Sequence, residues 1–426
     1  MNQTVRQRVI GFATRRTRGS REHAQASAVL AVGYVAQLVF QMGYFLVLTR
    51  MLGVERFGQF ATALAAINLV SPFAGIGYAE VALVRISSNR DETGLWATNS
   101  VAATVFLGIP LSIALALACY LFNSPHWIDW YLMLGLALGE LTLVRGCNVL
   151  ARVHQARREI TRTSMINVAI AAVKAVVAFG LLIAGQHSLL LLIIFLNMSL
   201  LPLLVYLFHS MTRFAPYHGM SWSALNANMG LAFSFTSGVF SKAVYTDLDK
   251  LFLARWTAPE IVGMYAAGYK MLSLAFLPIR SILEATFPRQ VERAAISGRS
   301  CATFSLGLLA ANVGLASIMS VAIYVMAPWA PLILGRDFTD SVAILRIGCI
   351  LPMLQASHYS MGNYLTAIGR QTVRSTTQMT IVAAYVVIAF LLIPTYSWHG
   401  AIWTSLACEG LLVVLFAIAC MTFKKK

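Results

Sequence analysis

The chain has 426 residues, 58% of them hydrophobic and only 11% charged, with 32 Lys and Arg against 16 Asp and Glu for a formal charge of +16. That much apolar surface exceeds what a soluble core can hide, so the composition excludes a soluble globular protein and points to a chain that crosses a membrane many times. The positive balance then reads as the loop charge of a membrane protein, not as a nucleic-acid footprint.

In chain order, residues 1–26 form a polar, basic arm carrying Arg6, Arg8, Arg15, Arg16, Arg18 and Arg21. Its expected job is to fix orientation, with contact to anionic membrane lipids as an additional role. No cleavable signal is expected, because the small residues Ala24-Gln25-Ala26 precede the first apolar stretch, whereas a cleavage site follows one. About twelve apolar segments come next, each near the ~20 residues that a spanning helix needs. They run over 27–48, 58–79, 97–122, 128–150, 163–184, 188–209, 228–253, 261–287, 302–327, 342–368, 375–393 and 399–421. The expected fold is an all-α polytopic membrane protein.

Loop charge sets the expected orientation. With the N-terminus inside, the inner segments hold 21 of the 32 basic residues, and the outer loops hold Arg50, Arg56, Arg255 and Arg336. Such a bias, alternating loop by loop, places both termini on the cytoplasmic side. Trp127, Trp130, Trp256, Trp329 and Trp398 fall near outer ends of spans, as interfacial aromatics do.

One helix–loop–helix corner occurs twice. Leu46–Ala61 aligns with Leu251–Ala266, with identities at Leu46/Leu251, Leu48/Leu253, Arg50/Arg255, Glu55/Glu260, Gly58/Gly263 and Ala61/Ala266. The copies lie an even number of spans apart, so they have the same orientation and form a parallel repeat about an axis along the membrane normal. Two six-helix lobes are the expected consequence, 27–210 and 211–426.

Charges inside the spans are the chemistry-bearing residues, since each costs about 2.5–3.5 kcal/mol at the bilayer centre and persists mostly where it faces protein or a wet cavity. They are Glu140, Arg145, Lys174, Lys242, Asp247, Asp249, Lys250, Lys270, Arg280, Glu284, Arg346 and Glu409. Arg145 and Arg346 sit near span ends and can snorkel. Lys174, Lys242, Lys270 and Arg280 lie deeper, and an excess of deep cations suits an anionic head group. Glu140, Asp249, Lys250, Glu284 and Glu409 either couple ions or form structural pairs; Arg280 and Glu284, four apart, share a helix face. The eight His are scattered and expected to be interfacial, and the six Cys to be small buried hydrophobes. No phosphate-binding Gly-rich loop, GxSxG, HExxH or paired-carboxylate motif stands out, and no cofactor or metal is expected. A membrane polymerase or glycosyltransferase would need a sizeable catalytic loop.

Leu48-Thr49-Arg50-Met51-Leu52-Gly53-Val54-Glu55-Arg56-Phe57-Gly58-Gln59-Phe60-Ala61 resembles the corner motif of bacterial polysaccharide-repeat flippases of the multidrug/oligosaccharidyl-lipid/polysaccharide exporter superfamily. Asp249-Lys250-Leu251 through Pro259-Glu260-Ile261-Val262-Gly263-Met264-Tyr265 resembles the family's segment at spans seven and eight, although Trp256-Thr257-Ala258 makes the second corner less regular. The resemblance implies a MATE-like V of two lobes that open alternately to either side of the bacterial cytoplasmic membrane. It implies an undecaprenyl-pyrophosphate-linked oligosaccharide as cargo, for exopolysaccharide, O-antigen or capsule synthesis, with the polysaccharide polymerase and glycosyltransferases as partners. A cation-coupled multidrug antiporter on the same scaffold is the alternative.

Overall fold

Within a bilayer, backbone groups have no water to bond, so a chain this apolar satisfies them inside helices. The computed structural model describes the backbone of residues 3–122, 128–215 and 219–422, and the side chains of 32–121, 128–215 and 219–422. The side chains of the arm 1–26, Trp127 and Lys424–Lys426 lie outside the described residues. Among the described residues every regular element is helical.

The elements are α1 (Gln3–Val70), α2 (Tyr78–Ser88), α3 (Thr93–Phe122), α4 (Trp130–Leu138), α5 (Arg145–Ala156), α6 (Ile160–Ile183), α7 (Leu189–Thr212), α8 (Trp222–Ala227), α9 (Met229–Trp256), α10 (Pro259–Ala275), α11 (Leu277–Ile296), α12 (Gly298–Met326), α13 (Ala330–Leu334), α14 (Ser341–Gly348), α15 (Leu351–Ala367) and α16 (Gln371–Thr422). A π-helical turn, Gly139–Val144, joins α4 to α5.

Among the described residues, eight helical stretches are long and apolar enough to span, and α10 with α11, bent by 41° at Phe276, makes a ninth. Two of the eight are folded double. α1 turns at Gly53 (φ 69°, ψ 175°) and α16 at Ser397 (φ 55°), backbone states outside the helical region. Each therefore carries two spans. With α9, which carries Lys242, Asp247, Asp249, Lys250 and Arg255 and falls outside that apolar set, the described helices offer one segment for each of the twelve expected crossings. Their ends differ from expectation in places. The second crossing stops at Val70 instead of 79, because Ser71-Pro72-Phe73 tightens into a 3-10 turn and Pro72 cannot continue an α-helix.

The chain packs as two units. The first comprises Met1–Met51, Val70–Ala118 and Trp130–Ser237; the second comprises Leu52–Leu69, Cys119–Asp129 and Gly238–Lys426. These are interleaved along the sequence, whereas the lobes expected from the repeat are contiguous.

In the first unit, Tyr78, Val81, Trp96, Cys147, Leu150, Ile166, Leu200 and Leu204 form one core. The Tyr78 hydroxyl donates to Leu225 O (3.0 Å), which ties α2 to α8. In the second unit, Phe276, Ile279, Leu283, Ala316 and Ala356 join α11, α12 and α15. The two corner copies meet there. A methyl group on Gly58 would strike the carbonyl of Pro259 and approach Gly263 N, and one on Gly263 would strike the carbonyl of Val54 and approach Gly58 N. The register that aligns Arg50 with Arg255 also aligns Val54 with Pro259 and Gly58 with Gly263. The contact is thus reciprocal, as an isologous contact about a two-fold axis must be. It also explains why Leu52–Leu69 packs with the second unit.

Candidate functional site

The deep charges fall into four groups. The first lies at the π-helical turn, an irregularity that inserts an extra residue into a spanning helix and is frequent at functional sites. Glu140 on that turn receives a hydrogen bond from Lys174 Nζ of α6 (2.5 Å), with both side chains about four-fifths buried. Lys174, expected to hold an anionic head group, is therefore already matched to a carboxylate in this state. Arg145, at the foot of the same turn, donates to the Ser71 hydroxyl (3.1 Å). It is held by protein instead of reaching for the interface.

The second group lies on α9 and α10. Asp249 is 1% exposed and accepts from the Tyr265 hydroxyl (2.5 Å) and from Lys250 N (2.8 Å). Lys250 Nζ donates to Asp247 Oδ1 (2.9 Å) and Thr246 O (2.6 Å), and lies 5.3 Å from the Tyr269 ring. Asn68, in the second crossing, donates to Asp247 Oδ2 (3.3 Å). Buried charges must be paired and hydrogen-bonded, and every member here is. The cluster fastens α9, α10 and the first corner's helix together. Lys270 is exposed, within electrostatic reach of Lys250 and Asp247.

The third group is open. Lys242 on α9 is exposed and feels the charges of Arg280 and Glu284 on α11. Arg280 Nε donates to Glu284 Oε1 (2.9 Å) across one helical turn, with both side chains more than half exposed. Of the four cations expected to bind an anion, Lys242 and Arg280 are brought together. Lys270 stands beside the α9 cluster, and Lys174 belongs to the first unit. Lys242, Arg280 and Lys270 are exposed, and the first two lie within electrostatic reach of each other.

The fourth group was missed in part. Glu409 of α16 is 1% exposed, and its Oε2 lies 2.6 Å from Nε2 of His358 on α15, itself 3% exposed. Gln355 Nε2 donates to Glu409 Oε1 (3.1 Å). The expectation that His358 is interfacial is wrong. Its position in the middle of span ten, 342–368, is the signal that the sequence offers for its burial. His154 is also buried, with Nδ1 2.8 Å from Glu159 Oε2. Arg157 and Arg162 complete that loop cluster at 2.9 and 3.1 Å. Burial of Glu159 pushes its carboxyl up, but the hydrogen bonds from Arg157 and His154 and their charges prevail and hold it below the usual carboxylate range.

The six Cys are free thiols, four of them buried, as expected of small hydrophobes. Among the described residues no group of His, Cys, Asp and Glu could hold a metal ion.

The pattern of the family described as polysaccharide biosynthesis protein matches residues 24–293. No curated protein matches the chain. Solved structures do. An inward-facing multidrug-resistance MATE transporter of the MOP superfamily is similar with a TM-score of 0.74 at 12% identity, over 91% of this chain and 95% of that one. An outward-facing MATE transporter of the same superfamily gives 0.59 at 12% identity, over 94% and 95%. A MOP-superfamily transporter from Pyrococcus furiosus gives 0.65 at 13% identity, over 95% and 96%; its binding pocket is described as of reverse polarity, suggesting a different function. At these identities the likeness establishes a MATE-like fold.

Proposed function

Because the chain belongs to the polysaccharide biosynthesis protein family, a family of membrane transporters by fold, we propose that it flips a polyprenyl-pyrophosphate-linked oligosaccharide repeat unit across the bacterial cytoplasmic membrane. Both termini are cytoplasmic in this reading. The arm 1–26 precedes two repeat-related lobes, 27–210 and 211–426, that open alternately to either side. The saccharide head passes through the interior while the prenyl tail stays in lipid.

The observation that carries the reading is the pairing of the family match with accessible cations. Lys242 and Arg280 lie within the matched stretch and present positive charge that a pyrophosphate could take up. Lys270 and Lys174 are further anion-binding positions. Lys270 is exposed, and Lys174 becomes available when an anion competes with Glu140 for its ammonium group. Glu284 limits the net charge at Arg280, and Asp249 and Lys250 hold the corner. The test is export of lipid-linked saccharide by a deletion strain carrying Lys242→Ala or Arg280→Ala, with insertion checked by fractionation. Undiminished export by both variants would remove the site.

The second reading, a multidrug antiporter on this scaffold, is favoured by the MATE transporters among the similar solved structures. Deletion would then raise drug sensitivity and leave polysaccharide export intact. The two assays in one strain separate the readings.

A further inference from the structure

In the second unit, Leu306 and Leu309 of α12, Met361 of α15 and Ala417 and Met421 of α16 line a cavity of about 270 Å³. Leu306 and Met421 are 62% and 69% exposed. Lipid tails are as apolar as Leu, so side chains this open in a spanning stretch belong against them, and the cavity opens toward lipid. From Ala302 to Leu309 it follows α12 for seven residues, roughly 10 Å. Ala302 lies one turn inside the start of α12, and Tyr364 and Met421 lie within a turn of the ends of α15 and α16. One end of the cavity therefore meets the head-group and ester layer, and the other lies among acyl chains. Its volume is larger than a ~150 Å³ cavity that takes up benzene, and smaller than the about 300–1,000 Å³ of drug-sized sites. It suits a length of hydrocarbon chain.

The polar groups in the wall say which chain. Ser305 accepts from Gln290 Nε2 (3.2 Å), and Ser360 accepts from Asn312 Nδ2 (3.1 Å) and donates to Ala356 O (2.7 Å). Both are thus engaged by protein. Tyr364, whose side chain also lines the cavity, is 6% exposed, and among the described residues its hydroxyl has no hydrogen-bond partner. A buried hydroxyl without an acceptor is costly. A prenyl chain offers it none, whereas the ester carbonyl of a glycerophospholipid does, and at this depth.

Charge completes the pattern. Positions 299, 302, 306 and 309 recur at helical spacing, so Arg299 stands one turn below Ala302 on the cavity face of α12. Arg299 is exposed, and among the described residues no carboxylate pairs with it. Two other cations at this end are engaged by protein. The Arg293 guanidinium lies 4.2 Å over the Phe304 ring, and Arg374 Nη1 donates to Thr366 Oγ1 (2.9 Å).

We propose that this cavity binds an anionic glycerophospholipid, with one acyl chain in the cavity, an ester carbonyl on the Tyr364 hydroxyl and the phosphate on Arg299. The site shares no residue with the Lys242 and Arg280 positions. Only its assignment to the inner leaflet rests on the orientation proposed above.

The experiment uses the full-length protein in bilayers of phosphatidylglycerol and phosphatidylcholine, with retained lipid counted by native mass spectrometry. The wild type is expected to keep phosphatidylglycerol about fivefold over phosphatidylcholine, the effect of one basic residue beside anionic lipid. It is also expected to keep ester-linked over ether-linked phosphatidylglycerol. Arg299→Gln should bring the head-group preference to parity and leave the ester preference. Tyr364→Phe should do the reverse, a split that general loosening of the helices does not produce. Leu309→Trp, which fills the cavity, should lower retention of both lipids. A wild type without the head-group preference overturns the proposal, as does any of the three variants behaving like wild type. Displacement of phosphatidylglycerol by an equal amount of polyprenyl phosphate also overturns it, since the cavity then holds a prenyl tail. Retention needs no transport, so a wild type that exports no saccharide but keeps both preferences sinks the cargo reading and leaves the lipid site standing.

Discussion

At the scale of single residues, a buried charge is expensive to leave alone, so its partner tells most of what its removal will do. Lys174→Ala strands Glu140 in the first unit. Losing one member of a buried pair costs about 3–5 kcal/mol, and the roughly one-fifth exposure of this pair places it below that range. Thermal unfolding in detergent should therefore drop for Lys174→Ala and recover in Lys174→Ala/Glu140→Ala; a double variant no more stable than the single one contradicts the pairing. Glu159 makes a different prediction, one in pH. Its folded carboxyl is held low, so its contribution is full above the ordinary carboxylate value and fades as pH falls through the folded value. The melting-temperature gap between wild type and Glu159→Gln should shrink on acidification, and a gap that widens would contradict the sign. These residues were legible to different degrees. The deep charges and the Arg280–Glu284 spacing could be read from helical periodicity alone. The Glu140–Lys174 and Glu409–His358 pairs could not, because each joins helices far apart in sequence, and no local rule specifies which faces meet.

At the scale of elements, the corner shows how much a repeat reveals and where it stops. The identities between Leu46–Ala61 and Leu251–Ala266 announced two equivalent corners, and the breaks at Gly53 and Ala258 fall at aligned positions. Gly53 uses a positive φ that favours glycine, whereas Ala258 stays extended (φ −68°, ψ 152°) and lets Pro259 open the next helix, so two different residues solve the same turn. The direct crossing of the copies at Gly58 and Gly263 was not legible, since a glycine matched in both copies serves equally well for a turn, a flexible joint or a close approach. Its geometry makes a sharp prediction. Gly58→Ala and Gly263→Ala each push a methyl group into a carbonyl of the opposite copy, and overpacking of this kind costs about 1–3 kcal/mol. Gly43→Ala, with nothing within 4 Å of the added carbon, is the control. Both corner variants should melt well below the control; equal melting of all three would mean that the helices do not cross there. The π-helical turn at Gly139–Val144 was equally unreadable, because its hydrophobic pattern is that of any apolar helix.

At the scale of the whole molecule, the twelve crossings follow from composition and apolar segment length, but cargo depends on which charges remain available once packing has claimed the rest. Lys174, Lys250 and Arg145 have close protein partners, so a loss of function on their removal would mix structural damage with lost binding. Arg280 is the cleaner probe. Its pair with Glu284 spans one helical turn with both side chains more than half exposed, and such pairs contribute only about 0.3–0.5 kcal/mol. Losing that pair therefore costs Arg280→Ala little stability, and Lys242→Ala removes a side chain from an exposed face of α9. A flippase for a pyrophosphate-linked saccharide predicts that each variant, at wild-type membrane level and melting temperature, loses most polysaccharide export, and that Arg280→Lys restores part of it by keeping the charge but not the guanidinium fork. A multidrug antiporter predicts instead that Lys242→Ala and Arg280→Ala leave export untouched and alter resistance to cationic compounds, whose entry the removed positive charge had opposed. Export and resistance measured side by side in these variants thus report the sign of the cargo's charge.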